Sequence, residues 1–238
     1  MSSSDSTSSS STGLRPWRKN PGSDFILPTG EKLRWGLGVF LVCLVYAILR
    51  YNVFKGVEWI HLPLYVGNKA FALAGVTLIS FAYLIGKWIP AYSDDTKRRR
   101  ALTKFCGLTG AAMIGMHACA GFIMLSPAYY EKFFLEVGKM NLTGELTFLF
   151  GILALACLFF PAVTTLPHMY EALGGARWQK AQRMGYYCLL FACAHTFTMG
   201  WKGWLDTSTW PGGLPPITML GFVVALAALV AKLTSGKR

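Results

Sequence analysis

The stretch PHMYEALGGARWQKAQRMGYYCLLFACAHTFTMGWKGW, residues 167–204, joins a polar, basic segment to an apolar run holding a single histidine. Residues 167–183 read as a polar turn, and Met184 to Gly200 as a helix crossing a membrane. His195 lies in that run, flanked by Ala192, Ala194, Thr196 and Met199. An ionisable side chain at membrane depth is costly and marks a site. A second histidine, His117, stands in another apolar run among Gly110, Gly115, Ala118, Ala120 and Gly121. Two histidines on different helices, surrounded by small residues, leave room for a flat group between them.

Working outward, six apolar runs appear, at about 35–54, 70–89, 103–126, 146–166, 184–201 and 216–233. Each is near the roughly 20 residues an α-helix needs to cross about 30 Å of hydrocarbon. Backbone groups find no water there, so each crossing must be helical. The composition agrees: 53% of residues are hydrophobic and 14% charged, with a mean hydropathy of +0.41. The expected fold is an all-α polytopic membrane protein, a bundle of six transmembrane helices with both termini in the cytoplasm. Residues 1–32 form a serine-rich tail too polar to pack, and 33–238 form the membrane domain.

The net charge of +12 is explained by its placement. With the N-terminus inside, all but six of the 23 Lys and Arg fall in inner segments, the six being Arg50, Lys55, Lys69, Lys132, Lys139 and Lys202. That is the positive-inside pattern, and it removes any need for a nucleic-acid partner. The inner loop 87–104 ends in Lys97-Arg98-Arg99-Arg100. It reads as a topology determinant on an anionic leaflet, or as a phosphate cradle for a nucleotide cofactor. No G-x-G-x-x-G follows a strand, so no nicotinamide-binding domain is expected in the chain. Six cysteines lie in the apolar runs without a CxxC pair, which suggests core thiols rather than a zinc site or disulfide framework. In the outer loops, Asn141-Leu142-Thr143 is a glycosylation sequon, while Trp201, Trp204 and Trp210 suit the membrane interface.

His117 lies about 22 Å along the third run and His195 about 17 Å along the fifth, at a rise of 1.5 Å per residue. Both runs point outward, so the two histidines share a depth slightly toward the outer leaflet. Matched imidazoles on two helices are what axial ligation of one haem requires. Two other readings stay open. The pair could be structural histidines hydrogen-bonded across helices, or part of a proton or metal-ion pathway, although the runs lack the acidic residues such relays use. Met113, Met116 and Met199 are more ordinary core residues than ligands. His168, at the inner end of the fourth run, has no histidine partner for a second haem.

At these residues the chain resembles the six-transmembrane STEAP metalloreductases, a ferric-reductase-like class. The resemblance is carried by Ala162-Val163-Thr164-Thr165-Leu166-Pro167, Gly185, His195 and Gly200-Trp201-Lys202. Asn68-Lys69 at the start of the second run adds to it, with Lys104, Gly107 and Leu108 ahead of His117, and Glu145 with Gly151-Ile152. Pro215-Pro216 running on to Lys232 extends it over about residues 60–232. The turn Gly175 to Gln179 is more similar to MsrQ, the haem subunit of a bacterial methionine-sulfoxide reductase. In MsrQ another histidine precedes the fifth span; Gln182 stands at that position here.

The resemblance implies one haem b between His117 and His195, and FAD on the cytoplasmic side. It also implies ferric or cupric chelate as acceptor on the outer side, and a homotrimer. Candidate flavin contacts are Arg100, Lys104, Trp178, Gln179, Gln182 and Arg183, and Lys202 is the candidate for the substrate rim. The activity so implied is a metalloreductase in the plasma, inner or endosomal membrane, supplied by a separate cytoplasmic electron donor. The alternatives are an MsrQ-like subunit passing electrons to a soluble partner, and a haem-free structural or transport protein. Some STEAP members place an aromatic between flavin and haem; the nearest position here is Leu158, beside Phe159 and Phe160.

Overall fold

The computed structural model describes residues 26–88 and 96–235. Arg15, Arg18, Lys19, Lys237 and Arg238, and the serine-rich stretch as far as residue 25, lie outside the described residues. The described residues are built from six long helices and contain no strand. They are α1 (Thr29–Phe54), α2 (Gly67–Trp88), α3 (Thr96–Ile123), α4 (Leu142–Thr164), α5 (Met169–Leu205) and α6 (Ile217–Ser235). A helical lead-in from Trp59 continues into α2. Five of these segments, all but α5, are long and apolar enough by length and composition to cross a membrane. The apolar half of α5 carries Tyr186, Tyr187, His195, Thr196 and Thr198, which dilute its hydropathy.

Three boundaries differ from the sequence expectation. Residues 169–183 are helical rather than a turn, since Ala172, Ala176, Gln179, Lys180, Ala181 and Gln182 are sound helix formers. The break in α5 is confined to Gly174, whose φ of 73° and ψ of 157° no side-chain-bearing residue adopts cheaply. Likewise Lys97 to Arg100 sit in the first turn of α3 and not in a loop. Cations there oppose the helix dipole, but Arg98 forms an ion pair with Glu31 of α1. At the other end of the chain, Thr29 opens α1 and Leu27 is already buried, ahead of the expected tail boundary at residue 32.

The packing order places the site. Helix α2 lies against α1, α3 and α6, and α5 lies against α4 and α6. Helices α3 and α4 touch only sparingly. The result is a ring of α2, α3, α4, α5 and α6 with space at its centre, and α1 outside on α2. Tyr46 and Arg50 hold α1 to the loop before α6: the Tyr46 hydroxyl donates to the Pro215 carbonyl at 2.6 Å, and Arg50 donates to that of Leu214.

Close approach of α2 and α3 depends on Gly75 and Gly110. A Cβ on Gly110 would meet the Gly75 carbonyl oxygen at 2.9 Å and Ile79 Cγ1 at 2.8 Å. Small residues at such crossings let backbones touch where lipid supplies no hydrophobic drive. Gly110→Val is expected to push the two helices apart and cost about 1–3 kcal/mol. A lowered thermal transition in detergent checks this; an unchanged one would mean that the crossing is slack.

Candidate functional site

All the elements of the site converge at one end of the bundle. There α2 begins, α3 ends, α4 begins, α5 ends and α6 begins, so residues far apart in sequence meet in one layer. His117 is six residues from the C-terminal end of the α3 helix and His195 is ten from that of α5. Their ring centres lie 6.4 Å apart, with the ring planes at 76°.

Each imidazole is oriented from behind. His117 Nδ1 lies 2.7 Å from Asn68 Oδ1, on the first turn of α2. His195 Nδ1 lies 2.8 Å from the Thr147 carbonyl oxygen, near the start of α4. A carbonyl oxygen only accepts, so His195 Nδ1 carries the proton and donates it. The amide oxygen of Asn68 sets the same tautomer for His117. Both Nε2 atoms are therefore lone-pair nitrogens, and neither has a hydrogen-bond partner among the described residues. A histidine that ligates a metal is held in this way, its second nitrogen donating to a carbonyl or carboxylate.

The Thr147 carbonyl is itself well placed. Thr147 is buried, and its hydroxyl donates to Thr198 Oγ1 at 3.1 Å, one turn beyond His195 on α5. The Asn141 side chain caps α4 by accepting from Gly144 N at 2.9 Å. The sequon asparagine thus fixes the helix start that carries Thr147. Gly151 lets α4 approach the ring: a Cβ there would lie 3.0 Å from His195 Nδ1 and 3.3 Å from Cε1.

Both histidines line an open cavity. Helices α2 to α6 line it, with Tyr51 from the end of α1 and Tyr130 and Phe133 from the α3–α4 connection. Most of the lining is apolar: Ala72, Ile114, Ala118, Gly121, Phe148, Ile152 and Gly221 stand around the two imidazoles. Besides the histidines, the polar lining is Asn68, Lys69, Tyr51 and Tyr130, with Thr147, Thr196 and Thr218 from α4, α5 and α6. Burial raises the Tyr130 phenol above its usual range, against the lowering effect of Asn68, so it stays a neutral O–H donor. A largely apolar cleft with a few convergent polar groups is the usual form of a cofactor or ligand site.

The remaining sequence candidates fall elsewhere. Trp178 and Gln182 tie the start of α5 to the end of α4: Trp178 Nε1 donates to the Thr164 carbonyl at 2.9 Å, and Gln182 Nε2 to Thr164 Oγ1 at 2.9 Å. Arg100, Lys104, Gln179 and Arg183 stand at the end of the bundle away from the histidines. Lys202 is exposed at the histidine end, its ammonium 5.9 Å from the Trp201 ring centre. His168 is a surface residue facing Glu171 at 3.6 Å. Met116 is exposed, Met113 packs in the core, and Met199 lines the cavity. Leu158 is buried, whereas Phe159 and Phe160 face outward. All six cysteines are free, five of them buried. Among the described residues no three His, Cys, Asp or Glu side chains gather as a metal cluster.

Thr147 and Tyr130 carry no signal in the sequence as site residues, and Gly151 enters there only through the family resemblance. Threonine and glycine are ordinary in apolar helices, and only the fold shows that these two back one imidazole. Asn68 does carry a signal, as a polar residue at the mouth of an apolar run.

No family model matches the chain. It is 22% identical over 202 residues to the metalloreductase STEAP2 of Homo sapiens, covering 74% of this chain and 41% of that protein. The STEAP2 of Mus musculus matches at the same identity and coverage. The chain spans about two fifths of the length of the curated relatives it matches. With its apolar helices, the chain is on these matches distantly similar to the STEAP family of membrane metalloreductases.

Proposed function

We propose that this chain is a metalloreductase-type membrane oxidoreductase holding one b-type haem between His117 and His195. The observation that carries the reading is a pair of imidazoles with ring centres 6.4 Å apart, each with its Nδ1 held by a carbonyl oxygen. Two metal–nitrogen bonds of about 2 Å, with about 1.1 Å from each nitrogen to its ring centre, would place the ring centres about 6.2 Å apart. Ring planes at 76° are compatible, because rotation about each metal–nitrogen bond leaves the plane free. The small and apolar lining gives a porphyrin face room on either side. When bound, such a group supplies one-electron transfer at a potential set by its axial ligands and surroundings.

The chain's own residues would do the rest. Asn68 and the Thr147 carbonyl hold the Nδ1 protons, keeping each Nε2 available and raising its basicity. The apolar lining excludes water from the imidazoles. In this reading α5 also crosses the membrane, making six crossings with both termini in the cytoplasm, and the histidine end faces outward. Lys202 would stand on the outer rim, where a ferric or cupric chelate would receive electrons. The acceptor is proposed from what the STEAP2 relatives are named for. The opposite end fits flavin less well, because Trp178 and Gln182 already donate to the end of α4. Electrons are therefore taken to come from a separate donor.

Proteoliposomes with reduced flavin inside and ferric chelate outside test the activity. Reduction of the external chelate is expected; electron delivery only to a soluble protein partner would favour the MsrQ-like alternative.

Asn68 is a positioning residue in this account. Asn68→Leu is expected to weaken haem binding by about 10–100-fold. Asn68→Asp keeps an acceptor, so it should retain haem, while its added negative charge lowers the reduction potential. Equal behaviour of the two variants in a spectroelectrochemical titration would contradict this role.

A further inference from the structure

We propose that Lys69 is the carboxylate-binding residue of the cavity, set beside the histidine layer by two tyrosine faces. Its ammonium stands 3.8 Å from the Tyr65 ring centre and 5.0 Å from that of Tyr51. Tyr51 and Tyr65 are themselves in edge contact at 6.0 Å, and Tyr65 stacks on Tyr129 at 6.4 Å. The two rings hold the cation in one place, and such contacts stabilise it only in part. No acidic side chain among the described residues pairs with it: Glu31 is taken by Arg98, and Glu171 faces His168.

A cation in the wall of a mostly apolar cavity is costly without an anion. Lys69 lines that cavity directly after Asn68, whose side chain holds His117. Tyr51 and Tyr130 line the same side and add hydroxyl groups. An ammonium with hydroxyl donors beside it recognises a carboxylate through charge-assisted hydrogen bonds. Two sources offer that chemistry here: a propionate of a porphyrin seated between the histidines, or a carboxylate of a metal chelate entering from the mouth. Only the first rests on the porphyrin reading of the site.

The test uses the full-length chain in nanodiscs with three probes that need no axial histidine: metal-free protoporphyrin IX, its dimethyl ester, and redox-inert gallium citrate. If the propionate is the partner, Lys69→Gln loses affinity for protoporphyrin IX by on the order of tenfold or more. The dimethyl ester then binds wild type and variant alike, and Lys69→Arg keeps most of the wild-type affinity. If the chelate is the partner, gallium citrate shows the loss and both porphyrins are unaffected. Unchanged affinities in all arms, an equal loss for the ester and the acid, or a wild type that binds none of the probes overturns the proposal. Failure of ferric haem to gain axial ligands would count against the histidine reading alone.

Discussion

If one haem sits between the two imidazoles as proposed, His117→Ala and His195→Ala are each expected to abolish the low-spin b-type haem spectrum of the purified protein. This is the largest effect expected for any substitution in the chain, because each residue would supply one of two bonds to the same metal atom. Few other groups could take the place of either ligand. Met199 lines the cavity, but Met116 is exposed, Met113 packs in the core and His168 is at the surface beside Glu171. A five-coordinate, high-spin spectrum in one variant would be a milder form of the same result. Retention of the wild-type spectrum in either variant would show that its imidazole is no ligand. The control is the thermal transition of the haem-free protein, which loss of one imidazole should shift little if its main role is to hold the metal. Under the alternative of a purely structural pair, it is that transition which should fall.

Gly151→Leu is expected to match the loss seen in His195→Ala although no ligand is touched. A Cβ at Gly151 would sit 3.0 Å from His195 Nδ1. The ring cannot turn away freely, because Nδ1 is bonded to the Thr147 carbonyl at 2.8 Å, and Thr147 is itself held by Thr198. The added bulk must therefore break that bond or part α4 from α5. Gly151→Ala needs a yield of only a few tenths of an ångström, so it should keep haem with weakened binding. A graded loss from glycine through alanine to leucine, read by haem titration, is the expected result. If the leucine variant binds haem as wild type does, Gly151 does not press on a ligating ring. Unfolding of the leucine variant would leave the alanine variant to decide.

The helical membrane class is legible in the apolar runs, because a bilayer permits few alternatives to a helix of that length. So is the prominence of the two histidines, whose polarity stands out against Ala192, Ala194, Ala118 and Gly121 and whose rings the structure brings within 6.4 Å. The groups that stand behind them are not legible. Asn68 is 49 residues from His117 and Thr147 is 48 from His195. Helix rotation decides such pairings, and a helix that is apolar on every face shows no preferred side in its sequence. The helical start of α5 escapes a sequence reading because its charged residues resemble a loop, whereas only Gly174 breaks the backbone. The run Lys97 to Arg100 misleads in the same direction, its helical state depending on contacts such as Arg98 with Glu31. Lys69 reads as one of six outer cations, and nothing in its neighbours along the chain reveals the two tyrosine faces around it.

The most direct measurement is an optical titration of the haem-free wild-type chain with ferric haem, followed through the Soret band and by low-temperature EPR. Binding of one equivalent per chain, giving a six-coordinate low-spin spectrum, is what two imidazoles sharing one iron atom predict. A high-spin five-coordinate product, a stoichiometry of two, or no saturable binding would contradict a haem clasped between His117 and His195.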